Sequence, residues 1–390
     1  MKTITCLLFV FINSNFLIAQ KKYLIHGNVA HVDSGKIYLV NSAPQQYYSN
    51  NSIDSALILN GNFSIEKKFY TNFPTAHRFL IFSKNNEGTT GTILLYPEKT
   101  YIKIDKIDEY ISPLTTSLFI NKEQEAYKLK FIDIIKQAQQ LNKSIDSIYV
   151  NGRTESAINF ETTIKENTQK LRKKSDSLLY EYILDYPNSY FGLWKLIERF
   201  DNFGYEEIYL NTYKYLSKEI KNSFPATTLF HKLSTASLLN IGNKFPILNL
   251  KDQSSKIIKL NASKLKAKYI LVDFWFSECS PCLKEFENYK NIYNKFQRSD
   301  FEIIAISIDK QEKKELWEET IKKYKLNWIN YIVLNESICD KYNINSFPTN
   351  YLLNAKGEIV MKNISIKELE KILIKINSDI FFNDKSSEPE

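Results

Sequence analysis

Residues 269–282 read Tyr-Ile-Leu-Val-Asp-Phe-Trp-Phe-Ser-Glu-Cys-Ser-Pro-Cys. The apolar run Tyr269–Phe274 is short and continuous, the pattern of a buried strand. After Cys282 the apolar residues Leu283, Phe286, Tyr289, Ile292, Tyr293 and Phe296 recur at helical spacing. The two cysteines therefore fall at a strand-to-helix turn, with Cys279 at or just before the helix start. A helix N-terminus carries unpaired N–H groups and partial positive charge, which stabilise a thiolate. Two intervening residues let the sulfurs close a small disulfide across the first turn. That layout suits a dithiol redox centre.

Working outward, residues 241–376 continue to alternate strand and helix. Strands are expected at Tyr269–Phe276, Phe301–Asp309, Trp328–Leu334, Thr349–Asn354 and Glu358–Lys362, with an edge strand at Ile257–Leu260. Helices are expected at Pro281–Phe296, Lys314–Tyr324, Glu336–Tyr342 and Ser365–Ile376. This order argues for an α/β domain with parallel pairing at its centre. Residues 120–240 are poor in Gly and Pro and read as helices, including Lys122–Asn142 and Ser156–Ile183. Their recurrent Tyr and Phe are read as core residues. Residues 23–110 alternate apolar and polar positions between turn signals, with Asn60-Gly61 marking a tight hairpin. A small antiparallel β-sandwich is expected there, and His26, His31 and His77 are read as ordinary strand histidines. Residues 377–390 read as a polar tail.

The chain of 390 residues is long enough for two or three domains, and 43% hydrophobic with 25% charged residues places it among globular proteins. Its net charge of +8 is spread along the sequence without a basic block, which argues against a nucleic-acid partner. Residues 1–19 read as a secretory signal: Lys2, then apolar Cys6–Phe11 and Phe16–Ile18, then Ala19-Gln20 as a cleavage point. An uncleaved N-terminal anchor is the alternative. Cleavage would leave Cys279, Cys282 and Cys339. A single close pair cannot staple so long a chain, so it points to chemistry rather than scaffolding. Cys339 is expected to be a small buried thiol.

On these residues the C-terminal region resembles the thioredoxin-fold domain of the exported TlpA/ResA-like thiol-disulfide oxidoreductases. The motifs are Val272-Asp-Phe-Trp275, Cys279-Ser-Pro-Cys282 with Glu285-Phe286, Ser346-Phe-Pro-Thr349, and Tyr351-Leu-Leu-Asn-Ala-Lys-Gly-Glu-Ile359. The fold class implied is multidomain: an N-terminal antiparallel β-sandwich, a central α-helical region and a C-terminal α/β thioredoxin fold. The β-region, with Asp54-Ser55-Ala56 and Asn60-Gly61-Asn62-Phe63, resembles an uncharacterised domain found ahead of such modules in cell-envelope proteins.

The resemblance implies that Cys279, the more exposed cysteine, attacks a substrate disulfide, and that Cys282 resolves the mixed disulfide. Cys282 needs a base. Glu285, three residues on along the helix, and Asp273, matching the buried carboxylate of thioredoxin, are both candidates. Phe347-Pro348 matches the family's cis-proline, which would present backbone to an extended substrate. Trp275 and Glu278 complete the expected substrate-facing set. Glu278 stands where the family usually has an aromatic residue, and a carboxylate there would oppose thiolate formation at Cys279. No cofactor or metal is implied. The expected substrates are disulfide-containing proteins or apocytochrome thiols, with a membrane thiol-reducing partner in the periplasm or cell envelope.

Competing readings fare worse. Half of a zinc site would need a second Cys/His pair at short spacing. A peroxiredoxin-type cysteine would need a Thr or Ser at a fixed offset in a proline-led loop. An envelope binding or scaffold protein with a redox-inert domain is the remaining alternative, and the intact cysteine pair argues against it.

Overall fold

A computed structural model describes residues 21–384 except 51–52, 72, 85–86, 108–112, 117, 152–154, 298–300 and 335–336. The expected signal segment 1–19 and the last six residues lie outside the described residues. The chain divides into two compact units, Met1–Asp201 with Thr212–Thr228, and Asn202–Asn211 with Leu229–Glu390. The expected helical region 120–240 is thus shared between the two.

In the first unit, nine strands join one sheet: β1 Lys21–Val29, β2 Ser34–Asn41, β3 Asp54–Leu59, β4 Asn62–Phe69, β5 Thr75–Phe82, β6 Glu87–Thr89, β7 Ile93–Leu95, β8 Thr100–Ile104 and β9 Leu114–Thr115. The order is β6-β5-β2-β3-β4-β1-β8-β9, with β7 on β5, and every pair is antiparallel except β1 with β8. The expected sandwich packing is therefore reached by a single sheet. Ile25, Ile37, Ile58, Phe63, Phe79, Ile93 and Ile102, from seven different strands, bury into one cluster, so the sheet curls around its own core as a half-barrel. Asn60 and Gly61 both have positive φ (49° and 77°), as the tight β3–β4 hairpin demands. His77 is buried, with Nε2 2.8 Å from Thr75 Oγ1.

The helices are longer than expected: α1 Leu118–Asn151, α2 Glu155–Asp185 and α3 Tyr190–Phe203. Shorter ones follow, α4 Glu207–Lys214, α5 Lys218–Lys221 and α6 Phe224–Ala236. Glu123 caps α3: its Oε2 accepts from Ser189 Oγ at 2.8 Å and from the Phe191 N–H at 3.0 Å. Trp194 of α3 is fully buried, stacks on Tyr48 at 5.0 Å and donates Nε1–H to the Pro74 carbonyl. The expectation that the Tyr and Phe of this region are core thus describes Tyr182, Phe191 and Phe200.

The second unit holds β10 Leu248–Lys251, β11 Ile257–Leu260, β12 Tyr269–Trp275, α7 Ser280–Phe296, β13 Phe301–Ser307, α8 Lys314–Tyr324, β14 Ile329–Val333, α9 Ser337–Tyr342, β15 Thr349–Asn354, β16 Ile359–Lys362 and α10 Ile366–Asp384. Its sheet runs β11-β10-β14-β13-β12-β15-β16. β12, β13 and β14 are parallel; the other neighbours are antiparallel. Both faces of β12 are covered, which is why it reads as an unbroken apolar run. Leu271 and Trp275 face a cluster with Phe286 and Tyr289 of α7, and Ile270, Val272 and Phe274 face the opposite one. Helix α10 runs to Asp384, eight residues past the expected end, so the expected tail is helical over 377–384.

Candidate active site

Cys279 is the N-cap of α7. Its N–H closes a turn on the Phe276 carbonyl at 3.0 Å, its own carbonyl accepts from Leu283 N–H at 3.0 Å, and its Sγ accepts from the Cys282 N–H at 3.3 Å. Pro281, in the first helical turn, has no N–H to leave unpaired. Cys279 and Cys282 are joined in a disulfide with Cα atoms 5.3 Å apart. In this oxidised form both are buried, at 3% and 1% exposure, so Cys279 is the more exposed of the two only by a small margin. Solvent instead meets Glu278, Ser280 and Pro281 around them.

The turn before Cys279 is pinned by a residue that motif reading passed over. Asp309, just beyond β13, accepts on one carboxylate oxygen from Ser277 N–H (2.9 Å), Ser277 Oγ (2.7 Å) and Ser307 Oγ (2.6 Å). The group is buried. Its sequence signal is faint, because Asp309 lies 32 residues from Ser277.

The Phe347–Pro348 peptide is cis, and both residues are half-buried. Phe347 meets Phe276 edge to face at 5.6 Å, and both pack against the cluster that holds the two cysteines. Phe276 is thus a further aromatic residue of the site. Trp275 is not. It is fully buried and packs edge to face on Phe286 at 4.9 Å, so its expected role in substrate contact is replaced by a place in the core. Being next to the motif does not bring it to the surface, because a strand covered on both faces buries every side chain.

Glu278 is exposed and ion-pairs with Lys313. The pairing raises the lysine's pKa. The expected repulsion of a Cys279 thiolate is therefore met by a cation 35 residues away in sequence. Exposed pairs are weakly coupled and screened by salt. Glu278→Gln should change the alkylation rate of reduced Cys279 less than about fivefold at low salt, and not measurably at about 0.5 M. A larger or salt-insensitive change would contradict this.

The two candidate bases lie on the same side of the sheet. Asp273 alternates with Leu271 and Trp275, so it faces α7. It is 1% exposed and its Oδ1 has no hydrogen-bond partner. Burial, then the charge of Glu285, holds its pKa well above the ordinary aspartate value. Burial also raises Glu285, against a lowering hydrogen bond from the Tyr289 hydroxyl at 3.2 Å. Tyr289 in turn accepts from Asn350 Nδ2 at 3.2 Å, and Asn350 is the β15 ladder partner of Asp273. Tyr289 and Asn350 carry no motif signal; only the fold brings them to the carboxyls.

A carboxyl raised in the folded state holds its proton after the unfolded chain has released it near pH 4. Its stabilising contribution is therefore full below that value and lost as pH rises through the folded pKa. Asp273→Asn should remove this decline. Urea unfolding of oxidised wild type and variant between pH 4 and 8 should show their stabilities diverging in the variant's favour as pH rises. Parallel curves would contradict it.

Residues 267–359 match the thioredoxin-like family model. Over 119 residues the chain is 32% identical to the thiol-disulfide oxidoreductase ResA of Bacillus subtilis (strain 168), covering 30% of this chain and 64% of that protein. It is 29% identical over 134 residues to a ResA of Bacillus cereus, covering 34% and 75%. Among solved structures, it is 31% identical to the thioredoxin domain of a thiol-disulfide oxidoreductase from Bacteroides vulgatus, covering 35% of this chain and 97% of that one, with a TM-score of 0.32. The chain thus spans a little under two thirds of the length of the first of these curated relatives. The C-terminal domain is thus thioredoxin-like over residues 267–359 and is similar to the thiol-disulfide oxidoreductases named ResA.

Proposed function

We propose that the protein is an exported cell-envelope thiol-disulfide oxidoreductase that reduces protein disulfides through Cys279 and Cys282. The observation that carries this reading is the disulfide closed across the first turn of α7, with its first sulfur at the helix N-cap. In the reduced protein the Cys282 N–H and the helix N-terminus favour the Cys279 thiolate. That thiolate attacks one sulfur of a substrate disulfide. The Cys279–substrate bond forms, the substrate S–S bond breaks, and the departing thiolate takes up a proton. Cys282 then loses its proton to Glu285 or Asp273 and attacks Cys279. The intramolecular disulfide forms and the second substrate sulfur leaves as a thiolate, which takes a proton from solvent. Two electrons have passed to the substrate.

Phe347 and Pro348 would present backbone and an aromatic wall, with Phe276, to the segment carrying the substrate disulfide. Returning the pair to its dithiol form needs a thiol-reducing partner, proposed to be membrane-bound, and the substrates are proposed to be envelope protein disulfides or those of apocytochromes. No helix among the described residues is long and apolar enough to cross a membrane. An insulin assay driven by a small dithiol tests the reading. The protein should accelerate insulin reduction, and Cys279→Ser should abolish the acceleration. No acceleration, with a pair that no dithiol can cycle, would favour a binding or scaffold role.

A further inference from the structure

The layer between β12, β15 and α7 is apolar, yet four polar side chains meet in it: Asp273, Glu285, Tyr289 and Asn350. Asn350 fixes the direction of every hydrogen bond there. Its Oδ1 accepts the Ile364 N–H at 2.8 Å and its Nδ2 donates to the Ile364 carbonyl at 3.1 Å, which settles which end of the amide is which. The same Nδ2 donates to Tyr289 Oη. An amide nitrogen cannot accept, so the Tyr289 hydrogen is directed to its other neighbour, Glu285 Oε2. One carboxyl of the pair thus receives a buried donor, whereas Asp273 Oδ1 receives none.

We propose that Tyr289, anchored by Asn350, is a positioning residue that holds the negative charge of the pair on Glu285 and leaves the proton on Asp273, giving the resolving thiol a base and an acid in one site. The last clause rests on the redox reading above. In the resolving step the Glu285 carboxylate takes the Cys282 proton as the Cys279–Cys282 bond forms. When the partner's thiolate attacks Cys279, that bond breaks and the Asp273 carboxyl protonates the departing Cys282 sulfur. In the oxidised form half-buried Glu285 gives the proton it took up to solvent; after Asp273 has protonated Cys282, Asp273 regains a proton from solvent by way of Glu285, and both carboxyls return to their starting states.

The surroundings leave the pair to itself. Tyr289 faces it from α7, Asn350 and the apolar Leu352 from β15, Ala305 is the β13 ladder neighbour of Asp273, and Cys282 lies in the same apolar cluster, one turn before Glu285. The charge acting on Asp273 is that of Glu285, and the charges acting on Tyr289 are those of the two carboxyls.

Carboxyl ¹³C NMR titration of the full-length oxidised protein tests the assignment without substrate. In wild type, Glu285 should ionise at lower pH than Asp273. Tyr289→Phe keeps the ring, and should raise the Glu285 midpoint by about one pH unit, a tenfold change in its ionisation constant, while lowering that of Asp273. Asn350→Ser keeps the hydroxyl but loosens its anchor, and should shift both midpoints in the same sense. A merely structural role would not move the two in opposite directions. Single-turnover trapping should show Tyr289→Phe slowing resolution at least about threefold at pH 7 with substrate KM unchanged. Asp273 ionising first in wild type, or both midpoints staying put in the two variants, would overturn the charge assignment. The expected order of ionisation without any disulfide turnover would overturn the acid–base clause together with the redox reading.

Discussion

Cys282→Ser should leave the protein covalently linked to its substrate and cut multiple-turnover disulfide reduction by on the order of 10³-fold or more. The reason is positional. Cys279 alone, at the N-cap of α7, keeps the backbone donors and the dipole that make it a nucleophile. Without Cys282 nothing one helical turn away can attack the mixed disulfide. Non-reducing gels and mass spectrometry of the variant with a peptide disulfide should find the peptide on Cys279. Cys279→Ser should give no adduct. Cys339→Ser should behave as wild type, because Cys339 packs in the cluster on the far side of the sheet from the pair. A Cys282→Ser variant that retains more than about a tenth of wild-type turnover would contradict the division of labour.

Trp275→Ala should be the most damaging change to stability near the site, costing about 3–5 kcal/mol. Trp275 fills the space between β12 and α7 and packs against Phe286, so truncation opens a cavity in a layer bounded by sheet and helix. For a unit of this size that corresponds to a fall in Tm of roughly 10 °C, readable by calorimetry. The same variant separates the two roles that the sequence allowed. A substrate-contacting tryptophan would raise KM and leave Tm near wild type; a core tryptophan lowers Tm in the absence of any substrate.

Much of this domain was legible because its signals are local. The run Tyr269–Phe274, the helical spacing after Cys282 and the paired strand patterns Thr349–Asn354 and Glu358–Lys362 each sit within a few residues. The observed β12, α7, β15 and β16 lie where that spacing put them. β10 went unread, since four residues of Leu-Asn-Leu-Lys offer too short a pattern to stand out. The β-region's strands and the Asn60-Gly61 hairpin were readable too. Their joining into one curled sheet depends on the parallel pairing of β1 with β8, some 75 residues apart, and such closure leaves no local mark.

The site divides along the same line. Cys279, Cys282 and Glu285 follow from spacing on one helix. The residues that bond to their neighbours, Lys313 to Glu278, Asp309 to Ser277 and Asn350 to Tyr289, are 35, 32 and 61 residues distant. Charge and burial at those positions become visible only when strands stack. Trp275 shows the opposite error, in which a residue beside a reactive motif takes on a functional role that its burial denies.

The central claim is that Cys279 and Cys282 form a working two-electron couple that delivers electrons to disulfides. Equilibrium titration of the full-length protein in dithiothreitol and glutathione buffers, with thiol alkylation read by mass spectrometry, tests it most directly. One reversible two-electron transition confined to this pair is expected, with a midpoint more reducing than about −200 mV. A pair that does not cycle, or a midpoint near the −120 mV or so of a strong oxidant, would contradict it.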